Sequence, residues 1–343
     1  MKVDYSALTR AVSRDELRAY AKRNRTHLGG VGAIAIVVVA AVIGVILIPM
    51  AVGEVGPGSL SMLTFAIIVV IGIAGFTWLS TAIALRKSFR MHAFAEANGL
   101  HYTGREAGTD YPGAIFGIGN ARTITERLYR DHDGYFDLGS YRYTTGSGKN
   151  KRTHDWGYLA IKLPRRLPHM LLDAKANNFF GSNLPVSFGR NQRLSLEGDF
   201  DDHFTLYCPR EYERDALYVF TPDLMALLID ESGEFDLEIV DDWLFVYTSG
   251  PLELTNPTLL SRLFRIVDTV GAKTLSRTVR YADERVVGDS LESGTPGEAR
   301  LAPNVIAHGG RRLKRGVPVV GLIIFAAVAL YLVSRFVSSG FFL

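Results

Sequence analysis

Three stretches of this chain run without a charged residue for the length of a membrane crossing, and no other feature constrains the fold as strongly. Residues 33–52 read AIAIVVVAAVIGVILIPMAV. At a rise of 1.5 Å per residue, a helix of that length covers the hydrocarbon core of a bilayer, about 30 Å. Residues 62–85, MLTFAIIVVIGIAGFTWLSTAIAL, form the second block, with Trp78 placed where an indole favours the membrane interface. Residues 317–334 form a third, shorter one. The first block does not read as a cleaved leader, because a segment of about thirty residues precedes it and a second apolar block follows closely.

Cations flank these blocks on one side only. Arg10, Arg14, Arg18, Lys22, Arg23 and Arg25 precede the first block, while the connection GEVGPGSLS holds Glu54 and no cation. Arg86, Lys87 and Arg90 follow the second block, Arg311, Arg312, Lys314 and Arg315 precede the third, and Arg335 alone comes after it. The bias predicts a multi-pass membrane protein with its cations on the cytoplasmic side. A basic N-terminal segment (1–32) and a large domain (86–281) would be cytoplasmic. The helical hairpin (33–85) would turn outside, and a short tail (335–343) would end there. None of the blocks contains Asp, Glu, Lys, Arg or His. Ions and polar substrates need such groups at depth, so the expectation is an anchor and not a transporter. Ala40 and Gly44 are spaced for close helix packing, one route to a homo-oligomer.

The overall 48% hydrophobic content conceals this segregation. A net charge of +3 is too mild to argue for a nucleic-acid partner, and a single cysteine, Cys208, excludes an intrachain disulfide or a cysteine-rich metal site. In the N-terminal segment, Ser13 and Glu16 make a capping box, with Val12 and Leu17 as its hydrophobic staple. Arg14, Arg18, Lys22 and Arg25 then share one helix face. They serve as a topology signal, or as an adhesive for anionic lipid at ~1 kcal/mol per cation.

The second apolar helix is expected to continue through SFRMHAFAEAN and stop at Gly99. Beyond it, the aromatic and β-branched runs LHYT, 136–145 and 154–163 predict strands, the last two joined by the turn GSGKNKR. Further strands are expected at 193–198 and 203–208. Thr221 and Pro222 start one helix that ends at Gly233, and Asn256 and Pro257 start a longer one. In that longer helix Leu259, Leu263, Ile266, Val267 and Val270 fall on one face. Between the helices, FDLEIV and WLFVYTS predict two strands across a tight turn at Asp241-Asp242. The element order gives a cytoplasmic α+β domain of mainly antiparallel strands with two or more helices. Residues 282–316 read as a flexible linker to the third block.

The run HFTLYCPREYERDALYVFTPDLMALLIDESGEFDLEIVDDWLFVY (203–247) resembles an uncharacterised family of bacterial membrane proteins. That family is defined by a domain of unknown function and is common in actinobacteria. HAFAEANGLHY (92–102), directly after two apolar helices, and the stretch from YRYTTGSGKNKR to LPHMLLDA are similar to it as well. The resemblance implies a membrane-anchored α+β module of a bacterial inner membrane with no established activity, and it transfers no catalytic residue.

Candidate chemistry is sparse. GSGKNKR is no phosphate loop, because Tyr143 and Asn150 stand where a glycine and a hydroxyl residue are required and a strand follows it. Its Lys149, Lys151 and Arg152 instead read first as a solvated turn, and second as a basic hairpin tip able to face lipid headgroups or an acidic partner. Glu197, Asp199, Asp201, Asp202 and His203 crowd into EGDFDDH, an oxygen-rich set for a hard cation, although the spacing fits no twelve-residue calcium loop. A polar turn between strands accounts for it with less. His154, His132 and His169 are possible general bases, yet no nucleophile motif accompanies them. Cys208, in an apolar strand, reads as a buried hydrophobe. The sequence therefore predicts a non-enzymatic, membrane-tethered interaction or sensing module without a cofactor. A membrane-surface hydrolase using His154 and the 197–203 acids, and an anionic-lipid scaffold, are the alternatives.

Overall fold

A computed structural model describes residues 2–23, 59–132, 134–178, 181–286, 304–316 and 328–335. The first apolar block with its Ala40–Gly44 pair, Arg25, and residues 317–327 of the third block lie outside the described residues. The chain divides into two compact units, Met1–Gly104 with Glu253–Leu260, and Arg105–Leu252 with Ser261–Leu343.

The first unit is helical: α1 (Ser6–Thr9), α2 (Arg14–Arg23) and the 39-residue α3 (Ser59–Ala97). The expected capping box opens α2, as Ser13 N–H donates to Glu16 Oε2 (2.9 Å) and Glu16 N–H to Ser13 Oγ (3.2 Å). Helix α3 contains the second apolar block. Its Ile67–Ala97 portion is long and apolar enough to cross a membrane, with a mean hydropathy of 2.2 in its most apolar window. Phe65, Ile68, Ile71, Phe76, Trp78 and Ile83 stand exposed along it, an apolar surface that water solvates poorly. It stops where the sequence says it should. Gly99 adopts φ +64°, and Leu100 N–H reaches back to Ala95 O (2.8 Å), the closing bond of a Schellman turn. The N-terminal segment lies along the polar end of α3. There the Asn98 side chain exchanges two hydrogen bonds with the Asp4 backbone (2.7 and 2.9 Å), and Tyr20 OH bonds Ser88 Oγ (2.7 Å).

The second unit is an antiparallel α+β domain. Its seven-stranded sheet has the order β1 (His101–Ala107), β2 (Asn120–Arg130), β3 (Phe136–Thr145), β4 (Arg152–Ala174), β6 (Phe204–Tyr207), β5 (Arg193–Leu194). Strand β7 (Asp236–Ser249) lies on the other edge of β4. The expected hairpin is present, with β3 and β4 paired from Phe136↔Ile161 to Thr145↔Arg152.

Several boundaries depart from the sequence reading. The strand expected at 154–163 continues for eleven residues to Ala174, straight through Pro164 and Pro168. Proline donates no ladder hydrogen bond, so it marks strand ends unless a bulge absorbs it. Here the β4–β7 register shifts between Lys162 and Met170. Opposite this shift, Asp241 takes φ +53°. The bulge is in β4, four of whose residues oppose Asp242 alone; the predicted turn at Asp241-Asp242 is continuous strand facing it, and the two predicted strands are one. Of the strand expected at 193–198 only Arg193–Leu194 pairs, and His203 ends a short helix, α4 (Phe200–His203). Strand β2, irregular at Ala121 and Glu126, has positive φ at both and no alternation to reveal it.

Helices α5 (Glu213–Val219) and α6 (Pro222–Ser232) follow β6. Thr221 precedes α6 as expected, although its hydroxyl donates to the Asp223 carboxylate and caps no backbone N–H. Asn256 does cap, its Oδ1 accepting from Thr258 N–H (3.0 Å). The long helix it opens is α7 (Pro257–Ile266), a π turn (Val267–Gly271) and α8 (Ala272–Thr278). The supposed linker is anchored on both flanks of 287–303. Asp283 is buried and accepts from Tyr212 OH (2.8 Å) and Ala307 N–H (2.9 Å). Phe188 bridges to Arg315, and Gln192 bonds both N–H and C=O of Lys314 (2.8 Å each).

The bulge decides what each sheet face carries, because a one-residue shift turns a strand over. On one face Met170, Leu172, Leu237, Ile239 and Leu244 pack against α6 and Val270, leaving a void of about 10 Å³. On the other, Trp156 and Tyr158 precede the bulge in β4 and Leu171 follows it, while β7 presents Val240 and then Phe245 and Tyr247. Tyr111 and Phe116 lie edge-on over Phe245, Tyr158 and Tyr141, completing an aromatic layer at centroid separations of 4.7–6.3 Å. Gly113 brings the covering loop down onto this layer, where an added Cβ would sit 2.0 Å from Tyr247 Oη and 3.1 Å from Phe245. Gly113→Ala is expected to lower stability by roughly 1–3 kcal/mol, the usual cost of overpacking, measurable by urea unfolding followed through Trp fluorescence.

Candidate functional site

The aromatic face holds a row of buried carboxylates: Asp137 (0% exposed), Glu238 (1%), Asp236 (0%) and Asp173 (5%). Carboxylates are almost never fully buried unless paired, since loss of hydration disfavours the charged form. The partners of each therefore define what the row can do.

Asp137, on β3, is saturated. Its Oδ2 accepts from Tyr111 OH (2.6 Å) and Arg127 Nε (3.0 Å), and its Oδ1 from Tyr158 OH (3.0 Å). Arg127 also donates to Glu106 (2.7 Å), and Tyr135 OH lies 3.0 Å from Tyr111 OH. Burial and the neighbouring Asp137 charge push the Tyr111 and Tyr158 phenols well above their ordinary range, which keeps both as donors. This is a closed charge-assisted network.

Glu238, on β7, is saturated as well. It accepts from Ala114 N–H (2.6 Å), Tyr247 OH (2.7 Å) and His169 Nε2 (2.7 Å). The histidine tautomer follows from its other nitrogen. Leu313 N–H donates to Nδ1 (3.0 Å), so the ring proton sits on Nε2 and points at Glu238. Both nitrogens are thus occupied. His169, which the sequence offers as a general base by residue type alone, instead fastens the 304–316 segment to the sheet. Burial and Glu238 hold the Tyr247 phenol well above its usual range.

The remaining pair is different. Asp173 is the penultimate residue of β4 and Asp236 begins β7, and the register Leu172↔Leu237 sets them side by side. Asp236 Oδ1 accepts from Ala174 N–H (2.8 Å), while its buried Oδ2 has no hydrogen-bond partner. Asp173 Oδ1 accepts from Asn178 Nδ2 (2.9 Å). The Asn177 and Asn183 amides act on Asp236 to favour its charged form, while Asn177 Oδ1 and both polar atoms of the Asn183 side chain are buried without a well-formed hydrogen bond. Among the described residues no ion pair reaches either aspartate. The nearby Arg193 guanidinium is engaged with Tyr207 OH (3.2 and 3.3 Å). Burial, then the Asp173 charge, pushes the Asp236 carboxyl up to about 7, and burial raises Asp173 too.

The residues singled out in the sequence do not meet here. His154 contacts Thr145 Oγ1 (2.8 Å) and stacks on Tyr143 near one end of β4, whereas the 197–203 acids precede β6, which pairs with the opposite end. Glu197, Asp199 and Asp202 are exposed. Asp201 is taken up locally by Ser195 Oγ and Leu196 N–H (3.1 Å). Among the described residues no three His, Cys, Asp or Glu side chains converge. Arg14, Arg18, Lys22, Lys149, Lys151 and Arg152 are exposed, with Arg18 3.6 Å from Asp15. Cys208 is buried, and burial pushes its thiol up to about 12, the unreactive state expected of it. The signal that was missed is simple: FDLGS and LLDAK place one acid each, and FDLEIV two at alternate positions, among apolar strand residues. No protein-family model, curated protein or solved structure matches the chain.

Proposed function

We propose that this chain is a membrane-anchored, non-enzymatic interaction or sensing module of a bacterial inner membrane, akin to the actinobacterial-type family its 203–247 run resembles. Three spans, at 33–52, 62–85 and 317–334, hold it with the N-terminus and the sheet domain in the cytoplasm and the C-terminal tail outside. The observation that carries this reading is α3, a single helix whose Ile67–Ala97 portion has a wholly unburied apolar window. Cations on one side of each apolar block give the orientation. The non-enzymatic part rests on the acid row: Asp137 and Glu238 are saturated by internal donors, and neither nitrogen of His169 is free to accept a proton from a substrate.

Alkaline-phosphatase fusions test the topology. Activity is expected from fusions after residues 57 and 343, and none after residues 100 and 286. Activity at 286, or release of the protein from membranes by alkaline carbonate, would overturn the anchored cytoplasmic arrangement.

A further inference from the structure

The docking of residues 304–316 gathers cations from three parts of the chain onto one surface of the second unit. Arg315 bridges Phe188, Lys314 O accepts Gly189 N–H (3.3 Å), and Gln192, 122 residues away in sequence, bonds Lys314 on both its N–H and its C=O. Arg190 stands among these contacts and Arg193 follows them. On the other side of the buried Leu313, Arg312 holds the Asp241 carboxylate. Arg166, from the β4 bulge, lies within electrostatic reach of the same carboxylate and donates its backbone N–H to Asn304 (2.7 Å). All six cations are exposed.

Elsewhere the domain pairs its cations with acids, as in Lys162–Asp242, Arg142–Asp155 and Arg262–Glu234. Here, among the described residues, the one ion pair that any of the six makes is Arg312 with Asp241 (2.7 Å). A concentration of like charge on a folded surface repels itself and attracts an external anion. A topology signal does not account for it, because that signal counts cations close in sequence to a span end, which Arg166, Arg190 and Arg193 are not. The position of the surface favours a lipid over an acidic protein. Only Gly316 separates Arg315 from the apolar run 317–334. A residue spans at most about 3.6 Å, so Arg315 lies within about 7 Å of the start of that run, at the depth of the headgroups. We infer that Arg166, Arg190, Arg193, Arg312, Lys314 and Arg315 bind anionic phospholipid headgroups of the inner leaflet and lay this side of the sheet domain against the bilayer. Guanidinium forks suit phosphate oxygens, and five of the six are arginine. The inference rests on the reading of 317–334 as a membrane span and names the lipid class that the anchored domain meets.

The test reconstitutes the full chain in nanodiscs of phosphatidylcholine, with and without phosphatidylglycerol. Acetylation of Lys314 by a soluble reagent is followed by peptide mass spectrometry and normalised to a free lysine peptide in the same mixture. Modification is expected to be roughly fivefold or more slower in the phosphatidylglycerol discs, with the difference lost at high salt. The double variant Arg166→Gln, Arg190→Gln, whose positions are remote in sequence from every apolar block, is expected to lose most of that protection. Arg190→Gln alone, at an exposed loop position, serves if the double variant melts early. Equal rates in the two kinds of disc would overturn the proposal and leave the surface to an acidic protein. Equal protection by soluble inorganic phosphate in phosphatidylcholine discs, or undiminished protection in the variants, would overturn it too. A chain that does not enter the discs would overturn the membrane reading and this inference with it.

Discussion

Replacing Asp137 by alanine is expected to destabilise the sheet domain by roughly 3–5 kcal/mol, the cost of breaking a buried ion pair from one side. The magnitude follows from what is left behind. Arg127, whose side chain is 19% exposed, keeps Glu106 as its one remaining acidic partner, and Tyr111 and Tyr158 hydroxyls lose their acceptor inside an aromatic layer. A neutral orphaned donor costs about 1–3 kcal/mol and an orphaned cation more. Equilibrium urea unfolding measures the loss directly. The double variant Asp137→Ala, Arg127→Met should recover part of it, because removing both charges leaves no uncompensated ion. A loss below about 1 kcal/mol would mean that water already satisfies these groups.

Asp236→Asn is expected to do the opposite. In chelator-containing buffer it should stabilise the protein at pH 8 by roughly 2–4 kcal/mol, since each unit of displacement corresponds to about 1.4 kcal/mol. The sign follows from the direction of displacement. The folded-state carboxyl is raised to about 7 from 3.8. Its favourable contribution is fully present below pH 3.8, declines as the pH rises, and is gone above about 7. Wild type should therefore lose stability between pH 4 and 8, and the variant should lack that part of the decline. Asparagine keeps an oxygen for Ala174 N–H and carries no charge that burial would penalise. A variant less stable than wild type at pH 8 in chelator would show that the carboxylate has a countercharge.

What the sequence disclosed and what it concealed divide along a physical line. Local rules with a defined spacing were legible: the Ser13–Glu16 box, the Gly99 stop, the Asn256 cap and the 136–163 hairpin. Features that depend on a neighbour were not. Pro164 and Pro168 signal a strand end unless a bulge absorbs them, and only pairing with β7, seventy-odd residues away, carries β4 through that bulge. The same holds for the acid row. EGDFDDH attracted notice because its charges are consecutive, yet consecutive charges are cheaply solvated. The informative acids are single ones within apolar strands, and only the strand pairing reveals that Asp173 and Asp236 face each other.

The anchoring of residues 304–316 has a mechanical consequence. Arg312 grips Asp241 through two bonds (2.7 and 3.1 Å), Lys314 is held twice by Gln192, and Arg315 bridges Phe188, while Leu313 alone leads to His169 and Glu238. A pull on the chain beyond residue 316 meets the two Gly316–Ser187 bonds first (2.8 and 3.0 Å), together with those of Arg315 and Lys314, and these share the load in parallel. Only after they yield does tension reach the histidine and, through it, the centre of the sheet. The segment works as a strain relief, shielding the acid row from forces applied at the C-terminal end.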